Sequence, residues 1–398
     1  MNASSACPAK FNSSLTILFA CLSGITYGYD ICVIATVLHE IKAALSMSSS
    51  TSIVAVFSVG MLFARLVGGR LADLIGRVRS LVLADVVILV AVAMMTFAHS
   101  PALLLVARAV LGAGVGLALL VGPTYLSEIS PPNFRGRLIT MHELCVCFGS
   151  LLGFAAKLLF PGVSWRVKLG VSAVPSLAQL LLTLALPESR PVTKAPSEGD
   201  AKFPWRATLV AALLCGAGSG CGFYAVQAFG VEILQNYLPT KSMDEISRHI
   251  LPWFGLAKVL GVGVCYLVID LMGRKAVMYA SMLALIASLV VLLLAGQDAS
   301  GLMGVIGCGG VIFGWALGIG TMMFLTANEL LNDRYRAVGS SVALVFNSLI
   351  EIFYQFSFTS MFDFSPSLPF SLFLAYSVFA LVLTRVALPE TLGLALAH

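Results

Sequence analysis

Among the ionisable residues inside long apolar runs, Asp30, Arg108, Glu143, Lys258 and Glu351 stand out. A charge at mid-bilayer depth costs about 2.5–3.5 kcal/mol on insertion scales, so each must face a partner, water or the interior of a helix bundle. Their types suit two kinds of chemistry. An acid and an arginine inside spans can satisfy each other as a static buried ion pair, and Asp30 and Arg108 are of those types. Carboxylates accept hydrogen bonds from hydroxyls, and amides both donate and accept. Glu143, Gln227, Asn347 and Glu351 carry such groups inside the runs. Asn347 and Glu351 are four residues apart and share one helical face. Three bland readings stand beside these. Glu351 can face the headgroups, Glu143 can simply pair with Arg108, and Lys258, near the outer part of its run, can snorkel.

The elements that must hold these groups follow from composition. Of 398 residues, 59% are hydrophobic and only 11% charged, with mean hydropathy +0.96. A soluble domain carries about 25% charged residues, so the chain is expected to be a polytopic membrane protein. The pI of 8.7 is assigned to basic loops rather than to a nucleic-acid surface. The nine cysteines fall mostly in apolar runs without zinc or disulfide spacing, and the five histidines are scattered. No nucleophile with a base and no phosphate loop stands out. Neither an enzyme nor a cofactor or metal is expected.

Twelve apolar runs are expected as spans, near 14–37, 51–72, 79–99, 101–126, 138–160, 166–186, 206–236, 248–271, 275–296, 300–328, 337–361 and 369–388. The first follows a polar stretch and reads as a retained helix rather than a cleaved leader. The longest polar gap, Pro187 to Trp205, divides the chain into six-span bundles at 1–186 and 206–398, with 187–205 as a cytoplasmic linker. Lys and Arg collect on the side of the turn between the second and third runs, Arg65 among them, while Lys157, Arg166, Lys168, Arg248 and Lys258 fall to the other. Both termini are therefore expected in the cytoplasm.

The polar turns repeat. Gly69-Arg70-Leu71-Ala72-Asp73-Leu74-Ile75-Gly76-Arg77 separates the second and third runs. Gly69 is read as allowing close helix approach and Gly76 as supplying the tight reversal. About two hundred residues later Asp270, Gly273 and Arg274 repeat its Asp-x-x-Gly-Arg core. Glu128 precedes Arg135 by the spacing at which Glu329 precedes Arg336. Leu186-Pro187-Glu188-Ser189 closes the first half as Leu388-Pro389-Glu390-Thr391 closes the second. Three pairs in one order indicate duplication, a frequent architecture of secondary transporters. The charges are read as a cytoplasmic gate; the plainer reading is that they mark topology and cap helices.

These motifs, with Pro123-Thr124-Tyr125-Leu126-Ser127-Glu128, Gly28-Tyr29-Asp30 and Gly112-Ala113-Gly114-Val115-Gly116, resemble the signatures of the sugar porter family of the major facilitator superfamily, most closely its plant polyol and monosaccharide transporters. The resemblance implies two six-helix bundles around a central site that opens alternately to each side. It implies Asp30 and Arg108 as the proton-coupling pair and Asn347 as a substrate ligand. Glu143 stands where many sugar porters have Gln. Gly218, Ser219 and Tyr224 stand where the family's seventh helix carries amides, and Phe324 stands where the tenth carries a tryptophan, losing its indole donor. Gly320 keeps a hinge position without the family's proline.

The expected protein is thus an all-α, twelve-span, monomeric proton symporter for a polyol, cyclitol or monosaccharide. The plasma membrane is favoured over the vacuolar membrane. A passive uniporter, a non-transporting sugar sensor and, far behind, a membrane enzyme are the alternatives.

Overall fold

The computed structural model describes residues 13–47, 51–129, 132–188, 204–272, 274–298, 300–320 and 336–387, and regular structure among them is helical throughout. The first half comprises α1 (Ser13–Ala44), α2 (Thr51–Ile75), α3 (Arg77–Thr96), α4 (Pro101–Ile129), α5 (Pro132–Phe154) and α6 (Trp165–Leu184). In the second, α7 (Trp205–Tyr237) is followed by α8 (Leu251–Met272), α9 (Arg274–Asp298) and α10 (Gly301–Gly314). α11 (Arg336–Phe364) and α12 (Ser367–Ala387) complete it. Among the described residues, eleven helices are long and apolar enough to cross a membrane. The remaining one, α5, holds the shorter apolar stretch Met141–Phe154. A helix satisfies every backbone group within itself, which is why such runs cross hydrocarbon as helices.

The chain turns where the sequence permits it. Between α2 and α3 the backbone reverses at Gly76, with φ +99°. α8 is entered through a capping box: Ser242 Oγ accepts from the Glu245 amide at 3.2 Å, and Glu245 Oε2 accepts from the Ser242 amide at 3.1 Å. Two helices are interrupted inside their spans. α7 breaks at Cys221–Gly222, where Gly222 has φ +86°, so the glycine-rich run does unwind. α10 leaves α-geometry for a π-turn at Trp315–Ile319. An irregular turn of that kind inside a span commonly marks a working site.

Packing uses small residues. At Gly24 of α1 a methyl group would lie 2.6 Å from the His142 carbonyl oxygen of α5, and at Gly153 of α5 it would lie 2.8 Å from that of Tyr29. α2 and α4 meet in the same way at Gly60, Gly112 and Gly116. Without a hydrophobic drive between helices in lipid, such backbone approach maximises dispersion contact. At Gly69, no described residue lies within 4 Å of the position a Cβ would occupy. The close approach falls instead at Gly68, against Leu117. The two halves touch along α2–α11, where Thr51 and Thr359 hydroxyls bond at 2.8 Å, and along α5–α8, where Gly255 faces Leu151.

Candidate functional site

The interruptions in α7 and α10 meet each other. Phe223 begins the second segment of α7, and Trp315 opens the π-turn of α10; their rings stack at 3.7 Å and 4°. Tyr224 adds an edge to both rings. Trp315 Nε1 donates to the Gly218 carbonyl at 2.9 Å, locking the two breaks together. Gly320 leaves room for the indole, since a methyl group there would come 2.5 Å from it. The indole expected at Phe324 is therefore supplied nine residues earlier; Phe324 itself lies outside the described residues. The helical geometry, not the motif position, reveals it.

Amides lie against this platform. Ser219, next to Gly218, donates its hydroxyl to Asn347 Oδ1 at 2.8 Å. Asn347 is buried, and its Nδ2 finds no partner among the described residues. Gln227, one turn beyond Phe223, is buried with its Oε1 equally unpartnered. A donor and an acceptor are thus left open in the interior.

Lys258 corrects the sequence reading. It does not snorkel: it is 4% exposed and lies 5.5 Å from the Phe223 ring centroid and 5.7 Å from that of Trp315. Its Nζ donates to Ser150 Oγ of α5 at 3.0 Å, across the seam between halves. Glu143 on α5 is half-buried, and the cation acting on it is Lys258 rather than Arg108.

Glu351 points inward. It is 4% exposed, and its Oε1 accepts from Ser58 of α2 at 2.7 Å and from Gln355 at 3.2 Å. Arg65, counted with the cytoplasmic-side charges, is buried against α11, bonded to Ser348. Glu351 and Arg65 therefore stitch α2 to α11.

Asp30 and Arg108 are each 1% exposed. Arg108 Nε donates to the Ile53 carbonyl at 3.1 Å, and its guanidinium lies 4.6 Å from the Phe57 ring centroid. Ser172 of α6 is in hydrogen-bonding reach of Asp30, and Arg108 acts on Asp30 through space. They form no ion pair within 4 Å, and Asp30 Oδ2 and Arg108 Nη1 are without partners among the described residues. A further buried acid has no counterpart in the sequence reading. Asp85 of α3 accepts from Gln179 at 2.7 Å and Thr183 at 2.9 Å, with both carboxylate oxygens engaged inside the first half.

Charges gather at both ends of the bundle. At the α2–α3 end, Arg77 bonds Asp73 at 2.5 Å and Glu128 at 3.3 Å. Glu188 accepts from the Val78 amide at 3.0 Å, capping α3, and leaves no room for a side chain at Gly76. Asp270, Arg274, Arg135 and Arg336 have side chains outside the described residues, as do Gly273 and Glu329 altogether. At the opposite end, Lys157 at the foot of α5 lies 2.7 Å from Glu40 of α1, 3.0 Å from His39 and 2.5 Å from Asp244 at the entry to α8. Lys168 adds a contact to Glu40 at 3.2 Å, and Arg248 one to Asp244 at 3.3 Å. His39, Glu40 and Asp244 bring ligand atoms within 4.8 Å of one another, as a metal would need. The Lys157 ammonium already fills the place of such a cation.

Comparison with known proteins accords with this geometry. The polyol transporter 4 of Arabidopsis thaliana, named as probable, is 26% identical over 94% of this chain and 82% of its own. Myo-inositol transporter 1 of Candida albicans is 26% identical over 98% of this chain and 82% of its own. Among solved structures, a D-xylose-proton symporter superposes with a TM-score of 0.83 at 19% identity, over 96% of this chain and 99% of that one. The inward-open xylose transporter XylE from E. coli gives 0.81 at 19% identity, over 96% and 97%. These shared folds establish the major facilitator architecture of two helix bundles. The family model described as "Sugar (and other) transporter" matches residues 16–202 and again 199–398, so the chain belongs to the sugar transporter family.

Proposed function

We propose that this chain is a proton-driven carrier that moves a polyol, cyclitol or monosaccharide by alternating access. The observation that carries the reading is the pair of open amide atoms: Asn347 Nδ2, joined through Ser219 to the segment that holds the Trp315–Phe223 platform, and Gln227 Oε1, one turn beyond Phe223. Leaving a buried polar atom unpaired costs about 1–3 kcal/mol; a hydroxylated ligand regains that by donating to one and accepting from the other. The polyol and inositol transporters among the relatives support the same class.

Asp30 and Arg108 take the coupling role. Neither is neutralised by direct contact, so a proton on Asp30 changes the charge balance around Arg108 without first breaking an ion pair. Binding and protonation together then favour closure around the ligand. Access at one end is held shut by the Lys157 cluster, because Lys157 belongs to the first half and Asp244 to the second. The remainder follows the sequence reading. Bundles at 1–186 and 206–398 flank a cytoplasmic linker at 187–205, and the α2–α3 turn and both termini face the cytoplasm. The charges around Arg135, Glu329, Arg336 and the second Asp-x-x-Gly-Arg turn act as the inner gate. The carrier works as a monomer in the plasma membrane and catalyses no covalent step.

Uptake by proteoliposomes under an imposed proton gradient tests this. The wild type accumulates sorbitol or myo-inositol above equilibrium, and Asp30→Asn equilibrates it without accumulation. Equilibration alone in the wild type makes the chain a uniporter, and ligand binding without flux makes it a sensor. Accumulation retained by Asp30→Asn removes Asp30 from the coupling step.

A further inference from the structure

Two lysines are almost equally buried, and they differ in what surrounds them. Lys157, 3% exposed, has three N–H donors and three acceptors within 3.0 Å: Glu40, Asp244 and His39. Lys258, 4% exposed, has one acceptor, the neutral hydroxyl of Ser150, and two aromatic faces. No carboxylate among the described residues lies within 4 Å of it. Glu143 and the thiols of Cys32 and Cys147 are titratable groups that share its field.

An ammonium taken out of water is costly unless paired and hydrogen-bonded. The aromatic faces offset part of that cost. They do not occupy the two remaining N–H groups. Those groups stand at the seam between the halves, over the Phe223–Trp315 stack that the open amide of Asn347 adjoins through Ser219 and Gly218. A lysine with spare donors beside open amides matches a ligand that carries both a negative charge and hydroxyls.

We infer that the central site takes a polyhydroxylated carboxylate, a sugar acid, whose carboxylate pairs with Lys258 while its hydroxyls meet Asn347 and Gln227. This rests on the carrier reading above and narrows its substrate class. Neutral polyols then occupy the same site more weakly, because they leave the ammonium unneutralised. Lys258 becomes the residue that sets specificity, by charge, and Glu143 is the internal carboxylate with which the ligand competes.

The test compares matched pairs on the purified full chain: gluconate against sorbitol, and glucuronate against glucose. Ligand-induced thermal stabilisation and competition for proteoliposome uptake are both read. In the wild type each acid binds at least tenfold more tightly than its neutral partner. Lys258→Gln brings the two within about twofold, Lys258→Arg keeps the preference, and Glu143→Gln keeps or enlarges it. Binding of sorbitol or glucose with no preference for the acids overturns the anionic site and leaves the carrier reading standing. An acid preference that survives Lys258→Gln equally overturns the role given to Lys258. Failure of folded wild type to bind any of the four overturns both readings. Should Lys258→Gln not fold, the wild-type ratios and the Glu143→Gln ratios decide alone.

Discussion

The two ends of the bundle are built from similar charges and use them differently. At the α2–α3 end, the described contacts among Asp73, Arg77, Glu128 and Glu188 join elements of the first half to one another. At the opposite end, Lys157 joins Glu40 of the first half to Asp244 of the second. A cluster confined to one half can fix a turn and move with its bundle as a rigid body. A cluster that spans the halves must break when that end opens. Among the described contacts, the same side-chain chemistry therefore fixes a turn at one end and joins the halves at the other.

That contrast can be broken most strongly at Lys157. Removing one member of a buried ion pair is costly, and here Lys168 and Arg248 remain to hold Glu40 and Asp244. Lys157→Met is expected to favour opening by about 2 kcal/mol, roughly thirtyfold in population. Alkylation of a cysteine placed at Leu38, buried in the turn before Glu40, reads this as a faster rate. An unchanged rate denies the cluster its conformational role. Gly76→Ala comes next, at the other end. It forces a side chain into φ +99° and against the Glu188 carboxylate. A loss of about 1–2 kcal/mol in thermal stability is expected, with alkylation at Leu38→Cys unaltered. Arg77→Ala costs about 1 kcal/mol by leaving Glu128 less well neutralised, and it too leaves the opposite end closed. Faster alkylation in either variant would erase the distinction between the ends. Asp244→Asn is expected to have the smallest effect, about threefold on the alkylation rate, because Asp244 is 51% exposed and water screens its pairs.

The spans and most of their junctions were legible in the sequence, since length and apolarity alone dictate them in a bilayer. The weakness of α7 was legible too, in the glycines around Gly222. What the sequence concealed was rotation about each helix axis. Counting Lys and Arg assigns a residue to an end of a run without saying which face it occupies. Arg65 thus counts toward the cytoplasmic end although its side chain lies against α11, and Lys258 reads as snorkelling although it faces the seam. The Lys157–Asp244 contact joins residues far apart in the chain whose local surroundings look like ordinary polar loops. Trp315 escaped because the family pattern drew the search for an indole to Phe324, and the π-turn of α10 has no spacing signature. Asp85 was visible inside an apolar run, yet only its contacts with Gln179 and Thr183 identify it as structural.

Alternating access with a closure across the halves at the Lys157 end is tested most directly by tethering it. In the variant carrying Lys157→Cys and Asp244→Cys, mild oxidation should join the halves at that end. Substrate uptake by proteoliposomes should then stop and return on reduction, while the same oxidant leaves the wild type, with its nine native cysteines, unaffected. Uptake that continues at the full rate in a quantitatively cross-linked variant would contradict the account.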